Sequence, residues 1–249
     1  MRWKTANICA LTVLASSFLV VALGGALSKP AVADQDSHPP SQPAPVPPAA
    51  ARVSVVRNVV VIGDSYTGGS REGGIGPSNW TMLVWNSLEA NGIDVNAEVS
   101  GRGGSGYVQR GIDGTVFGEE ASRLVRPDDD LIVFFGSIND IEQSIESVSG
   151  AASAAFGQAH ATAPKARIVV IAPVWPHPGG APAEILRIRD VLADGAKQVG
   201  AAFVDPIAQG WLTNTPDLIG ADNVHPNDAG HAFLAQQIGP HLRAALTGH

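Results

Sequence analysis

Val59-Val60-Val61-Ile62-Gly63-Asp64-Ser65-Tyr66 is the stretch on which the rest of the chain turns. A run of β-branched apolar residues stops abruptly at Gly-Asp-Ser. With no polar alternation, the run fits a strand buried on both faces of a parallel sheet. Gly63 lets the chain turn sharply at the strand's carboxyl end. Open α/β sheets bind their ligands at that end. Ser65 is therefore a candidate nucleophile. Taken alone, the stretch reads more simply as a strand followed by a turn, since Gly, Asp and Ser are common turn formers.

The pattern continues downstream. Apolar strands are expected at residues 59–62, 94–99, 131–135, 168–172 and 202–204. Between them, Ser78 is placed to cap a helix ending at Asn91-Gly92, and helical spacing covers residues 141–163, 182–199 and about 227–246. Glycine-rich loops occupy 68–77 and 101–114. Strands alternating with helices predict a five-stranded parallel sheet with helices on both faces. Ser65, Gly101, Asn139 and Trp175 then fall in strand-to-helix loops at the carboxyl edge. Asp222 and His225 fall in the loop before the last helix.

These residue types suit acyl transfer. A serine hydroxyl needs a base to take its proton, and histidine titrates near working pH. A third group must hold the imidazole in one tautomer. In Asp222-Asn223-Val224-His225-Pro226 a carboxylate stands three residues before the histidine and can fold back onto its ring. Pro226 biases His225 away from helical geometry. Considered alone, His225 is equally well read as a solvated loop histidine. The developing oxyanion needs donors. The N–H groups of Ser65 and Gly101 and the side-chain amide of Asn139 are candidates. Asp64 is expected to brace the turn through backbone hydrogen bonds.

The set Gly63-Asp64-Ser65-Tyr66, Gly101, Asn139-Asp140 and Asp222-x-x-His225 resembles the SGNH hydrolases, also called the GDSL family. The blocks stand in the family's order and span nearly all of residues 53–249. The resemblance implies a three-layer α/β/α sandwich with a flavodoxin-like parallel sheet. It implies Ser65 as nucleophile, His225 as base, Asp222 as orienter, and an oxyanion hole of Ser65, Gly101 and Asn139. Two departures stand out. Tyr66 replaces the usual Leu, which is expected to change the lining of the substrate pocket. One extra residue separates Gly136 from Asn139, where the family reads Gly-x-Asn-Asp. Trp175 is a second pocket candidate, with core packing against the sheet as an equal reading.

Composition narrows the function. A hydrophobic content of 45% with 16% charged residues suits a globular domain. A net charge of -7 without a basic cluster excludes nucleic acid as the expected partner. Residues 1–33 carry Arg2 and Lys4, an uncharged apolar run and Ala31-Val32-Ala33, the pattern of a cleaved export signal. The run is long enough to serve instead as an uncleaved membrane anchor. Residues 34–52 form a Pro-rich linker of extended character, which would hold the domain off a membrane or cell wall. The single cysteine, Cys9, lies inside the apolar run, so no disulfide or Cys-based metal site is expected after cleavage. Gly101-Arg102-Gly103-Gly104-Ser105-Gly106 matches G-x-G-x-x-G but lacks the helix a dinucleotide site requires. No G-x-S-x-G elbow is present. No metal and no cofactor is expected.

The expected function is an exported serine esterase acting on acetyl or other short to medium acyl esters, of small molecules or of envelope glycans or lipids. Two alternatives stay open. One is an acyltransferase using the same three residues. The other is a non-catalytic glycan- or wall-binding module of the same fold.

Overall fold

The computed structural model describes residues 55–248. They fall in one compact unit running from Ala51 to His249. The expectations for residues 1–33, for 34–52 and for Cys9 lie outside the described residues. Among the described residues, no helix is long and apolar enough to cross a membrane.

Five strands form one sheet: β1 (Arg57–Gly63), β2 (Val95–Gly101), β3 (Leu131–Phe135), β4 (Arg167–Ile171) and β5 (Ala202–Val204). Their order is β2-β1-β3-β4-β5 and every pairing is parallel. The chain runs from β1 outward to β2, then returns to the far side of β1 for β3. The strand order therefore reverses between β1 and β3, and it is at the carboxyl ends of strands flanking such a reversal that open α/β sheets bind their ligands. Gly63 is in register with Gly101 on one side and Phe135 on the other. The three segments that follow these residues are thus brought to one edge.

Six helices surround the sheet: α1 (Ser65–Gly68), α2 (Trp80–Ala90), α3 (Phe117–Leu124), α4 (Ile145–Thr162), α5 (Ala183–Gln198) and α6 (Asp228–Thr247). Alternate residues of each strand feed two separate cores. Val60, Ile62, Ile132, Phe134 and Val170 pack with α3, α4 and α5. Val59, Val61, Val133, Phe135 and Ile171 pack with α2 and α6. This is the three-layer α/β/α sandwich, and it explains why β3 and residues 59–62 of β1 are apolar at every position. Burying one such side chain contributes about 1.5–3 kcal/mol.

Several local details differ from expectation. Asn79, not Ser78, caps α2, and its side chain accepts the Thr81 N–H at 2.9 Å. The segment expected to be helical from residue 141 begins instead with a short 3-10 turn (Ile138–Asp140), and α4 starts only at Ile145 behind Ser144. Helix α3 was not expected; it is one of the shortest and follows directly on the glycine-rich loop. Ser65 is not in a plain turn. It opens α1, a single helical turn whose cap is Asp64.

Candidate active site

The end of β1 delivers Ser65 to the sheet edge. Asp64 turns its side chain back and accepts the Tyr66 N–H at 2.9 Å. Its backbone carbonyl accepts the N–H groups of Thr67 and Gly68 at 3.0 and 2.9 Å. The Asp64 carboxylate is fully buried. Burial pushes its pKa up from 3.8 to about 6, against the N–H donors of Tyr66 and Ser137 and the attraction of His225. The N–H of Ser65 is the first of the helix, a position with no intrahelical acceptor.

The loop before α6 brings the other two residues. His225 Nε2 lies 2.9 Å from Ser65 Oγ, and His225 Nδ1 lies 2.6 Å from Asp222 Oδ2. The second carboxylate oxygen of Asp222 accepts the N–H groups of Val224 and His225, each at 2.9 Å. Partial burial works against ionisation of Asp222. The bonds from the His225 ring and from the two N–H groups outweigh it and hold the pKa at about 2. A fixed anion at Nδ1 selects the Nδ1–H tautomer, which leaves Nε2 to accept the serine proton. Asn223 adopts φ 59°, a left-handed conformation that Asn tolerates, and so closes the tight loop between Asp222 and His225.

Gly101 ends β2 beside α1. The Arg102 N–H donates to the Gly63 carbonyl at 2.8 Å, so strand alternation turns the Gly101 N–H and C=O away from β1. Gly68 stands on that side, and a Cβ on Gly101 would run into the Gly68 backbone N. Only glycine fits. After β3, the extra residue of the third block is absorbed by Gly136 at φ 128° and Ser137 at φ 93°. Asn139 then points its amide between Ser105 and Asp64: Nδ2 donates to the Ser105 carbonyl at 2.8 Å and lies 3.4 Å from Asp64 Oδ2.

Asp140 caps no helix but holds a loop; it ends the 3-10 turn after β3. Its buried carboxylate accepts the N–H groups of Tyr107, Val108 and Gln109 at 2.7, 3.0 and 2.7 Å, and the Ser137 hydroxyl at 2.6 Å. It thereby gathers the glycine-rich loop against the end of β3. This role was missed in the sequence, where the Asn-Asp dipeptide was its only trace. Glu120, on α3, was missed as well. Its carboxylate takes hydrogen bonds from Ser100 and Arg123, both at 2.6 Å. Burial opposes ionisation, yet these bonds and the charges of Arg102 and Arg123 hold its pKa at about 2.

Of the two pocket candidates, Tyr66 takes another place and Trp175 follows its second reading, core packing. Tyr66 is 3% exposed, so it does not line an open pocket. Its hydroxyl is instead spent on the Val224 carbonyl, at 2.5 Å. Trp175 is half-buried against the α4 and α5 core and meets His177 edge-on, with ring centroids 4.8 Å apart. A groove of about 310 Å³ runs beside Trp175, lined by residues such as Pro176, His177, Thr215, Ile219 and Asn223. Asn223 joins this groove to the Asp222–His225 loop. A larger groove of about 520 Å³ between α2 and α6 touches none of the site residues.

A serine, a histidine and a carboxylate in hydrogen-bonded series, at the edge of a sheet ordered this way, invite comparison with known hydrolases. The profile of the GDSL-like Lipase/Acylhydrolase family matches residues 61–233. The chain belongs to this family. Membership carries the enzyme class, a carboxylic ester hydrolase. Among its relatives, GDSL lipase Rv0518 of Mycobacterium tuberculosis (strain ATCC 25618 / H37Rv) is 47% identical over 193 residues, covering 76% of this chain and 83% of that protein. The crystal structure of TesA shares the fold with a TM-score of 0.63 at 20% identity, over 76% of this chain and all (100%) of that one. The psychrotrophic esterase EstA from Pseudoalteromonas sp., inhibited by monoethylphosphonate, shares it with a TM-score of 0.59 at 14% identity, over 77% of this chain and 99% of that one. The GDSL-family blocks of this hydrolase thus all stand at the carboxyl edge of its sheet, on the loops after β1, β2 and β3 and before α6.

Proposed function

We propose that the protein is an exported serine esterase that cleaves acetyl and other short to medium acyl esters through an acyl-Ser65 intermediate. The observation that carries this reading is the unbroken series Ser65 Oγ, His225 and Asp222, at 2.9 and 2.6 Å. His225 Nε2 takes the Ser65 proton as Oγ attacks the ester carbonyl. The resulting oxyanion is met by the N–H groups of Ser65 and Gly101 and by the Asn139 amide. One Asn139 hydrogen stays on the Ser105 carbonyl; the other leaves its long contact with Asp64. The tetrahedral species collapses, and protonated His225 delivers its proton to the departing alkoxide. Water then repeats the sequence on the acyl-enzyme and releases a carboxylic acid.

Solvent access favours water as the acceptor. The side chains of His225 and Asp222 are 27% and 36% exposed, so the base is open to solvent. The groove beside Asn223, about 310 Å³, is near the lower end of small-molecule sites and suits a short or medium acyl or alcohol group. Export rests on the sequence of residues 1–33, and the Pro-rich residues 34–52 support action at the cell envelope, on glycan or lipid esters.

The full chain assayed on p-nitrophenyl esters of increasing acyl length tests the reading. Turnover is expected to peak at short or medium chains and to fall by roughly 10³-fold or more in Ser65→Ala. Unchanged turnover in Ser65→Ala rules it out.

A further inference from the structure

Tyr66 sits directly after the serine, and each of its polar groups is tied. Its N–H donates to the Asp64 carboxylate at 2.9 Å, and its carbonyl accepts the Trp80 indole N–H at 3.0 Å. Its ring stands edge-on to Phe135, with centroids 6.3 Å apart. From this anchored base the buried side chain crosses to the loop that carries the histidine. There its hydroxyl donates to the Val224 carbonyl at 2.5 Å. Burial raises the phenol pKa, so the hydroxyl keeps its proton over the whole working range. Leu, the usual residue at this place in the family, has no hydroxyl to donate.

A second tie comes from the same side. Glu72, in the loop after α1, accepts the Ala221 N–H at 2.8 Å. The two attachment points, at residues 221 and 224, bracket Asp222 and precede His225. Within the loop the bonds run from the loop to itself: Gly220 N–H to the His225 carbonyl at 2.8 Å, and Asn223 N–H to the Gly220 carbonyl at 3.0 Å. Those bonds give the loop its shape. The ties from Tyr66 and Glu72 set its distance from Ser65.

We infer that Tyr66 and Glu72 are positioning residues that hold the Asp222–His225 loop against the serine turn and so set the Ser65–His225 spacing. The inference rests on the reading of Ser65 as nucleophile and His225 as base. Neither residue hydrogen-bonds to Ser65 Oγ or to the His225 ring nitrogens, and the Tyr66 and His225 rings stand with centroids 6.3 Å apart. Proton transfer from Ser65 is steep in distance, and a misplacement of about 1 Å is enough to cost on the order of 10²-fold in rate.

The test compares Tyr66→Phe, Glu72→Ala and Glu72→Gln with wild type and Ser65→Ala. It reads kcat and KM on p-nitrophenyl acetate, the rate of labelling by a fluorophosphonate, and Tm. Tyr66→Phe is expected to lower kcat and the labelling rate in parallel, by about 10-fold, with KM changed less than about 2-fold. Glu72→Ala is expected to act in the same direction. Glu72→Gln, which keeps an acceptor oxygen, is expected to restore most of the rate. If Tyr66→Phe does not fold, the Glu72 pair carries the test by the same readouts. Wild-type kcat and labelling in Tyr66→Phe and Glu72→Ala, with Ser65→Ala inactive, overturns the positioning role and leaves the nucleophile standing. A loss confined to KM or to Tm overturns it too. Activity in Ser65→Ala overturns the reading beneath it.

Discussion

The imidazole of His225 stands 2.9 Å from the hydroxyl of Ser65, although 160 positions of sequence separate them. Everything local to each residue serves that distance. On one side Asp64 caps the helical turn that begins with Ser65. On the other, Asp222 grips both the ring and the backbone N–H of His225. A relay of this kind acts as a unit. Ser65→Ala and His225→Ala are each expected to lower kcat by roughly 10³-fold or more, and the double variant is expected to be no worse than either. Multiplying losses in the double variant would mean that the two residues act in separate steps.

Gly101→Ala tests the contact between β2 and α1. A methyl group there meets the Gly68 backbone, which cannot move without shifting the turn that holds Ser65. The variant is expected to retain its far-UV circular dichroism and to lose activity by about 10²-fold or more. Wild-type activity in Gly101→Ala would show that the close approach of β2 and α1 is not needed for the reaction.

How much of this was readable in the sequence follows from range. Strand β1 and the Asp222–His225 loop are local patterns: an apolar run that ends in Gly-Asp-Ser, and a carboxylate three residues from a histidine. Both could be read without a partner. The sheet order could be anticipated only through the resemblance of the ordered blocks. Helix α3 escaped because Phe117–Leu124 is short and its buried face includes Glu120, a charged residue that a periodicity of apolar positions leaves out. Tyr66 was assigned to the pocket for a related reason. Its partner is a backbone carbonyl 158 positions away, and a carbonyl leaves no mark in a sequence. Glu120 is held by Arg123 on its own helix and by Ser100 and Arg102 at the end of β2, and the second pair shows only once β2 and α3 are brought together.

Glu120 ties α3 to the strand that ends in Gly101. Its side chain is 4% exposed, whereas Arg102 and Arg123 are 35% and 53% exposed and can turn to solvent when it is removed. The cost of Glu120→Ala is therefore that of lost hydrogen bonds and a small void, about 1–3 kcal/mol. A fall in Tm of about 3–10 °C is expected by calorimetry. An unchanged Tm would mean that the buried carboxylate contributes nothing net to the fold.

His231 contributes to the acid limb of stability. It is fully buried on α6; its Nδ1 meets the Trp80 N–H at 3.4 Å and its Nε2 has no partner. Burial lowers its pKa from 6.5 to about 4, with Asp228 opposing and His225 adding to the fall. A histidine lowered in this way contributes stability that is full above pH 6.5 and is lost as the pH falls toward 4. The size of the loss is on the order of 3 kcal/mol. Asp64, raised to about 6, runs the other way: its contribution is full below 3.8 and is lost as the pH rises through 6. The comparison must therefore be made between variants. His231→Phe is expected to flatten the fall in unfolding free energy between pH 6.5 and 4 in urea titrations. An identical slope in wild type and variant would remove His231 from the acid response.

The central claim is that Ser65 carries the acyl group. Mass spectrometry of the full chain after reaction with a fluorophosphonate tests it most directly, because the probe traps only a serine activated by its base. The account predicts a single adduct on the peptide containing Ser65, absent in Ser65→Ala and formed far more slowly in His225→Ala. An adduct on any other residue, or labelling of Ser65→Ala at the wild-type rate, would contradict it.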